Sequence, residues 1–332
     1  MKKFIAMILT LALALSMTAC GGSVEAVPSA EASGTAAYKV AIIQQLDHSS
    51  LDEIRNAINT QLTRLAGEKN ISIEIKEYNG QNDTTMLNQI STDAVADGVD
   101  LIIPIATLAA VSAVTATEGT DIPVVYAAIS DPESAGLTGI PTVTGVSDAL
   151  NTPFILDMML AAQPDVQTVG LLYSNSEVNS QTPIAEAKAY LEEKGIAYIE
   201  KTGTTSGEVV EAAASLVGRV DAVFTPTDNA VMAAEAAVAE LLNADGIPHY
   251  TGADSFVTSG AFTTCGVNYT ELGQKAGQMA FDILQGGTIG AFEVMDGGII
   301  TVNADTAKLC GIDYSIFSSM ANTVNAVTTV SE

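Results

Sequence analysis

Short apolar segments alternate with segments whose apolar residues recur at helical spacing, and this alternation constrains the fold more than any other sequence feature. The clearest helix is 51–66, whose apolar face contains Leu51, Ile54, Ile58, Leu62 and Leu65. The first set of predicted strands is 39–44, 71–76, 101–105 and 122–127, with helices at 84–96 and 108–117 as well as 51–66. This order predicts a parallel sheet with helices on both faces.

The same alternation starts again after residue 148. It predicts strands 168–173, 197–200, 222–224 and 248–251, and helices 149–162, 183–194, 208–216 and 230–242. We therefore predict an α/β fold of two doubly wound parallel-sheet lobes joined by a hinge, with crossings near 143–148 and 261–269. Lobe 1 is assigned residues 38–147 plus about 268–292, and the second of these segments includes a last helix at 271–284. Lobe 2 is assigned about 148–267 plus 293–318. Residues 319–332 are treated as a C-terminal tail.

The N-terminal segment has the pattern of a secretory signal. Lys2 and Lys3 precede an apolar run at 4–15, which is too short to span a bilayer, and Cys20 follows the small residues Thr18 and Ala19. This order resembles a bacterial lipobox, so we expect residues 1–19 to be removed and Cys20 to carry the lipid. The alternative is an ordinary signal peptide in which Cys20 is incidental. Residues 20–37 lack a hydrophobic period and predict a flexible tether to the outside of the cell membrane.

The charge balance excludes some partners. The chain has 39 acidic and 13 basic residues and a net charge of −26, which repels nucleic acid and anionic lipid. Its only arginines are Arg55, Arg64 and Arg219, and the loops that follow the predicted strands contain no Lys or Arg. A phosphate or dicarboxylate ligand would favour such a basic partner. The sequence therefore favours a zwitterionic or neutral polar ligand.

Short polar residues follow the predicted strands, where parallel sheets bind ligands. Acidic groups that could receive a positive charge are Asp47, Asp131, Glu177, Asp228 and Asp254, and groups near helix starts that could hold a carboxylate are Thr107, Asn179 and Ser180. We expect the ammonium of a zwitterion at Asp228, with Asp254 and Asp131 close by. The alternative is that such residues are helix caps and turn formers, and that Asp228 only caps the helix at Asn229.

Several of these segments resemble the tryptophan/tyrosine-type ABC transporter substrate-binding proteins. The matching segments are 44–48 (QQLDH), 105–110 (IATLAA), 128–132 (AISDP), 143–148 (VTGVSD), 170–180 (GLLYSNSEVNS) and 226–229 (PTDN). The resemblance covers about 38–312 and implies a fold of the type I periplasmic-binding-protein kind, in which two lobes close on an aromatic amino acid. Carried over by position, it implies a pocket of Gln44, Thr107, Asp131, Tyr173, Asn175, Glu177, Ser180, Asp228 and Asp254. Tyr126, Tyr173 and Phe256 are candidate aromatic walls of this pocket, with core packing as the alternative for Tyr126.

The same resemblance implies delivery of the ligand to an ABC transporter permease, and we expect a monomer without a cofactor. Receptors for a nucleoside or a sugar share this fold and remain alternatives, although sugar sites favour Trp and this chain has none. Cys265 and Cys310 leave open both a disulfide and a two-thiol racemase-like enzyme. With only His48 and His249 in the chain, we expect no metal site and no catalytic site.

Overall fold

The computed structural model describes residues 37–330. The predicted signal segment, Cys20 and nearly all of the predicted tether therefore lie outside the described residues; Ala37 already belongs to the first strand. Among the described helices, none combines the length and the apolar character needed to cross a membrane.

Two sheets organise the described chain. The first sheet contains β1 Ala37–Gln44, β2 Ser72–Asn79, β3 Leu101–Ile105, β4 Val124–Ala127, β5 Val143–Ser147 and β11 Glu293–Val294. The second contains β6 Thr168–Tyr173, β7 Ala197–Thr202, β8 Ala222–Thr225, β9 His249–Thr251, β10 Thr263–Gly266, β12 Ile299–Asn303 and β13 Thr323–Val327. The strand orders are β11-β5-β4-β3-β1-β2 and β13-β12-β10-β9-β8-β6-β7. All neighbouring strands are parallel except β10 and β12.

Helices cover both sheets. Those of lobe 1 are α1 Ser49–Lys69, α2 Thr84–Ala96, α3 Thr107–Ala116 and α10 Tyr269–Leu284. Those of lobe 2 are α4 Thr152–Ala162, α5 Gln181–Lys194, α6 Ser206–Ala214, α7 Asn229–Met232, α8 Glu235–Ala244, α9 Asp254–Thr258 and α11 Ala304–Cys310. The predicted α/β fold with two doubly wound lobes is confirmed.

Helix α1 shows how the sequence pattern becomes packing. The apolar residues that predicted it, from Leu51 to Leu65, are all buried. Helix α10 packs against α1 because two of its glycines allow close approach: a Cβ on Gly273 would lie 2.6 Å from the Ile54 carbonyl oxygen, and one on Gly277 3.1 Å from the Gln61 Cβ. A helix from late in the chain is thereby fixed to lobe 1.

The chain passes between the sheets three times. It leaves the first sheet after β5, returns after β10 through α10, and leaves again between β11 and β12. Asp148 begins the first of these crossings, directly after β5.

Three segments differ from the sequence prediction. Residues 293–294 are assigned to lobe 2 from the sequence, but they pair in parallel with β5 and belong to the first sheet. Residues 323–327 belong to the assigned tail, yet they pair in parallel with β12 and cover an edge that would otherwise expose unpaired backbone groups. The predicted helix 230–242 is two helices, and α8 begins at Glu235, whose buried carboxylate lies 3.0 Å from His249 Nδ1. Cys265 and Cys310 are both free thiols.

Candidate functional site

Each sheet reverses its strand order at one point, and ligands of doubly wound sheets bind at such points. In the first sheet, β1 lies between β2 and β3, so the segments after Gln44 and Ile105 diverge at the sheet edge. In the second sheet, β6 lies between β7 and β8, so the segments after Tyr173 and Thr225 diverge in the same way. The two reversal points face each other across the cleft.

A cavity lies between these loops, and about 390 Å³ of space in it and around its mouth is free of protein atoms. Lobe 1 contributes His48, Ser50, Leu51, Ala106, Thr107, Ala128 and Ser130; lobe 2 contributes Asn179, Thr227, Asp228, Asn229, Met232, Ala253, Ser255 and Phe256; and the crossings contribute Asp148 and Tyr269.

Two helices of lobe 1 begin at the cavity, and their own N-cap residues provide no capping side chain. The N-cap residues are His48 for α1 and Ala106 for α3, and neither side chain accepts a hydrogen bond from its helix. Backbone N–H groups at such ends attract anions. Ala106 and Ala128 also have positive φ values of 73° and 57°. Strain of this kind in a non-glycine residue is typical of functional sites.

Asp228 lines the cavity, but its carboxylate is bound within lobe 2. Oδ2 accepts 2.6 Å hydrogen bonds from the Ser174 backbone N–H and the Ser180 hydroxyl, and Oδ1 accepts from the Val231 N–H at 2.9 Å. Asp228 is therefore the N-cap of α7. Burial raises its pKa, and these hydrogen bonds act in the opposite direction.

A buried polar network joins the lobes beside the cavity. Gln45 Nε2 donates to Glu177 Oε1 at 2.9 Å, and Gln45 Oε1 accepts from the Leu108 N–H in the first turn of α3 at 3.0 Å. Asn229 Nδ2 donates to Glu177 Oε2 at 3.1 Å. Burial and the nearby Asp228 carboxylate raise the pKa of Glu177 to about 8, and the hydrogen bonds from Asn229 and Gln45 act in the opposite direction.

His48 extends this network into the cavity. Asn229 donates to Glu177 from Nδ2, so its Oδ1 is free to accept a hydrogen bond. This Oδ1 lies 3.4 Å from His48 Nε2, and the imidazole proton is therefore assigned to Nε2. Burial lowers the pKa of His48 to about 4, so the ring is neutral at pH 7. Its Nδ1 is then a buried acceptor.

Further contacts close the cleft elsewhere. The hydroxyl oxygens of Ser130 and Thr227 are 2.8 Å apart, Ser50 donates to Asp254 at 2.8 Å, and Thr182 donates to Asp131 at 2.7 Å. Each of these pairs joins residues of different lobes. The described conformation is therefore closed.

Three buried polar atoms of cavity residues have no hydrogen-bond partner among the described residues: His48 Nδ1, Asn179 Oδ1 and Ser255 Oγ. Asn179 donates from Nδ2 to the Thr227 carbonyl oxygen at 2.6 Å, so its Oδ1 is an acceptor. Buried polar groups are normally satisfied. The cavity thus offers acceptors for a ligand that carries N–H or O–H groups.

Of the predicted site residues, the structure brings Thr107, Asn179 and Asp228 to the cavity. Glu177 and Ser180 lie directly behind its wall, through their bonds to Asn229 and Asp228. The other predicted residues do not line the cavity, because their side chains bond elsewhere. In lobe 1, Gln44 donates to Asp52 and Asp47, Asp47 also pairs with Arg55, and Asp131 accepts from Ser134 and Thr182. In lobe 2, Tyr173 donates to Glu200, Asn175 donates to Thr202, and Asp254 accepts from Ser50.

The predicted set lacked other cavity residues, chiefly Asp148 and Ser130. Both were recognisable as polar residues directly after strands. Of the three candidate aromatic walls, Phe256 lines the cavity, whereas Tyr126 is buried in the core of lobe 1 and Tyr173 bonds Glu200. Within residues 37–330, no group of three or more His, Cys, Asp or Glu side chains could hold a metal ion.

Comparison with known proteins agrees with this architecture. Residues 39–321 match the family model described as ABC transporter substrate binding protein. The chain belongs to this family. Its members are substrate-binding proteins of ABC transport, a class of binding proteins rather than enzymes, that act outside the cytoplasm.

Three relatives are informative. A tyrosine-binding protein of Clostridioides difficile (strain R20291) is 33% identical over 318 residues, which cover 92% of both chains. A Streptococcus pneumonia ABC domain in complex with L-Trp superposes with a TM-score of 0.81 at 30% identity, covering 87% of this chain and all of that one. A ligand-free, open substrate-binding protein with adhesive properties from Clostridium difficile gives a TM-score of 0.66 at 32% identity, covering 88% of this chain and all of that one.

The last two relatives differ little in identity, yet the L-Trp complex superposes better than the open structure. This difference accords with the closed cleft of the substrate-binding protein described above.

Proposed function

We propose that this chain captures a free amino acid with an aromatic side chain by closing its two lobes on it, and delivers that amino acid to an ABC importer. The observation that carries the proposal is the cavity itself. It combines the N-termini of α1 and α3, whose N-cap side chains accept no hydrogen bond, with an apolar wall and unpaired acceptors, all at the reversal points of two sheets. In α3 the Leu108 N–H already donates to Gln45, so only the other N–H groups of its first turn could serve a ligand.

The helix ends suit the ligand's carboxylate. No Lys or Arg of residues 37–330 lines the cavity, so an anionic group would depend on backbone N–H groups and the helix dipoles of α1 and α3. Thr107, the first residue of α3, adds a hydroxyl on that side. Such a site holds one carboxylate and disfavours a phosphate or a second carboxylate.

The apolar wall suits an aromatic side chain. Leu51 of lobe 1 and Met232 and Phe256 of lobe 2 line the cavity. Burying about 150–250 Å² of aromatic side chain contributes roughly 4–6 kcal/mol before entropy costs. The relatives support the same class, since one is named a tyrosine-binding protein and another was solved with L-Trp.

The N-terminal sequence supports anchoring of the binding protein. We propose that the mature chain begins at a lipid-modified Cys20 and that residues 21–36 tether the lobes to the outer face of the cell membrane. Mass spectrometry of the protein from the membrane fraction would detect an acylated N-terminal peptide. An unmodified N-terminus at a residue other than Cys20 would refute the anchoring proposal.

A thermal-shift screen followed by calorimetric titration tests the ligand class. Tyrosine, tryptophan and phenylalanine are compared with leucine, glutamate, adenosine and galactose at equal concentration. We expect only the aromatic amino acids to raise the melting temperature strongly, since binding adds roughly 2.7 kcal/mol at a hundredfold excess over Kd. Stabilisation by adenosine or galactose alone would contradict the proposal.

A further inference from the structure

We infer that Asp148, at the first crossing between the lobes, receives the ammonium group of the bound ligand. This inference rests on the proposed amino-acid function and names the residue that would make a free amino group a condition of binding. It replaces Asp228, which the sequence pattern favours for this role.

The acidic residues differ in their position relative to the cavity. Asp131, Glu177 and Asp254 do not line it, and each accepts hydrogen bonds from partners on the opposite lobe. Among the acidic residues of 37–330, only Asp148 and Asp228 line the cavity. The choice for the ammonium group therefore lies between these two residues.

The two carboxyl groups differ in the donors that already reach them. Asp228 accepts from Ser174, Ser180 and Val231, so both of its oxygens are engaged within lobe 2. Asp148 accepts a side-chain hydrogen bond from Ser130 alone, at 3.0 Å on Oδ1, and its own backbone N–H also stabilises the charged form. Its Oδ2 has no side-chain donor among the described residues, although Asp148 is only 6% exposed.

Ser130, Thr227 and Asn179 form a chain of hydrogen bonds beside Asp148. The single hydroxyl proton of Ser130 is donated to Asp148, so the 2.8 Å contact between Ser130 and Thr227 places the donor on Thr227. Asn179 donates to the Thr227 carbonyl oxygen, and its unpaired Oδ1 is a second acceptor on this side of the cavity. An ammonium group has three N–H donors and matches such a pair of acceptors.

The buried carboxyl group of Asp148 lacks a cationic partner within residues 37–330. No Lys, Arg or His forms an ion pair with Asp148 among the described residues. Burial without such a partner raises the pKa of Asp148 to about 6, with hydrogen bonding from Ser130 and from its own backbone N–H as the opposing effects. A buried carboxylate without a partner is costly, and an ammonium group would remove that cost.

The test measures the affinity of wild type and Asp148→Asn for L-tyrosine and for 3-(4-hydroxyphenyl)propionate, which lacks only the amino group. We expect Asp148→Asn to weaken tyrosine binding at least about thirty-fold, as loss of a buried charge partner does. Its affinity for the des-amino analogue should stay within about threefold of wild type. Asp165→Asn, an exposed residue outside the cavity, controls for the loss of one negative charge.

The outcomes separate the two proposals. If wild type binds none of tyrosine, tryptophan and phenylalanine, the proposed function fails. If it binds tyrosine and Asp148→Asn binds it within threefold of wild type, the function stands and the role of Asp148 is refuted. An equal loss for tyrosine and the des-amino analogue also refutes it, because the effect would then be independent of the ammonium group. Circular dichroism verifies the fold, and Asp148→Ser replaces any variant that does not fold.

Discussion

The hydroxyl of Ser180 and the carboxylate of Asp228 are 2.6 Å apart, and the hydrogen bond between them lies wholly inside the second lobe. Asp228 also caps α7, so it connects that helix to the segment after β6. The carboxylate of Asp228 therefore stabilises lobe 2, and its oxygens are already occupied by hydrogen bonds within that lobe.

We predict that Asp228→Asn mainly destabilises the fold. The amide retains one acceptor oxygen but loses the other, so buried donors of Ser174, Ser180 or Val231 are left unpaired, which costs about 1–3 kcal/mol. Urea unfolding measures this loss. Ser180→Ala, which removes one of these bonds, should cost about 0.5–1.5 kcal/mol. If Asp228→Asn leaves stability unchanged but greatly weakens tyrosine binding, then Asp228 rather than Asp148 binds the ammonium group of the ligand.

A second prediction concerns pH and Glu177. Its pKa is raised from an ordinary value of 4.5 to about 8, so the folded protein holds a proton that the unfolded chain releases between these pH values. The resulting stability is present below pH 4.5 and is lost as pH rises through 8. Glu177→Gln should therefore flatten the decline in unfolding free energy between pH 5 and 9. Glu240→Gln, on the exposed surface, should leave the decline as in wild type.

Closure of the lobes should depend on Gln45. Gln45→Ala removes the bond to Glu177 and the acceptor for the Leu108 N–H, which should weaken ligand binding by roughly 1–3 kcal/mol and favour an open form. Small-angle scattering would show a larger radius of gyration. Gln61→Ala is the matched control, since Gln61 bonds Gln278 within lobe 1 and should leave the scattering unchanged. Equal scattering profiles for wild type and Gln45→Ala would contradict this role.

The first crossing depends on a glycine in β5. Gly145 pairs with Tyr126 of β4, and a Cβ at Gly145 would lie 2.2 Å from the Tyr126 carbonyl oxygen and 2.3 Å from its ring. Gly145→Ala should lower the unfolding free energy by about 1–3 kcal/mol or more. Gly207→Ala in α6 meets no atom within 4 Å and should be neutral or stabilising by about 0.5–1 kcal/mol. A melting temperature for Gly145→Ala equal to that of wild type would refute the clash.

The fold was largely predictable from the sequence because its signals are local. The period of α1 is present in the order of its residues, and the repeated strand–helix order leaves few topologies. The break between α7 and α8 was not predictable, since it accompanies a contact of Glu235 with His249, a residue of a later strand. Strand β13 is short and largely exposed, and it forms because β12 offers an unpaired edge.

The site was predictable in position but not in roles. Thr107, Asn179 and Asp228 follow strands at the two reversal points, and the sequence shows where those strands end. Which oxygens remain unpaired depends on distant partners: Gln45 and Glu177 are 132 residues apart, and Ser130 and Thr227 are 97 apart. No local pattern distinguishes a carboxylate that caps a helix from one that can accept a ligand.

The three adjacent crossings limit how the lobes can move. A single connection would let the lobes twist and slide against each other, whereas three neighbouring crossing segments permit mainly a rotation of one lobe about one axis. Opening is then a motion with one coordinate, and the pairs Gln45–Glu177, Ser50–Asp254 and Ser130–Thr227 separate or meet together. A ligand that favours contact at any one pair therefore favours all of them, so partial engagement of the cleft is suppressed and capture is close to all-or-none.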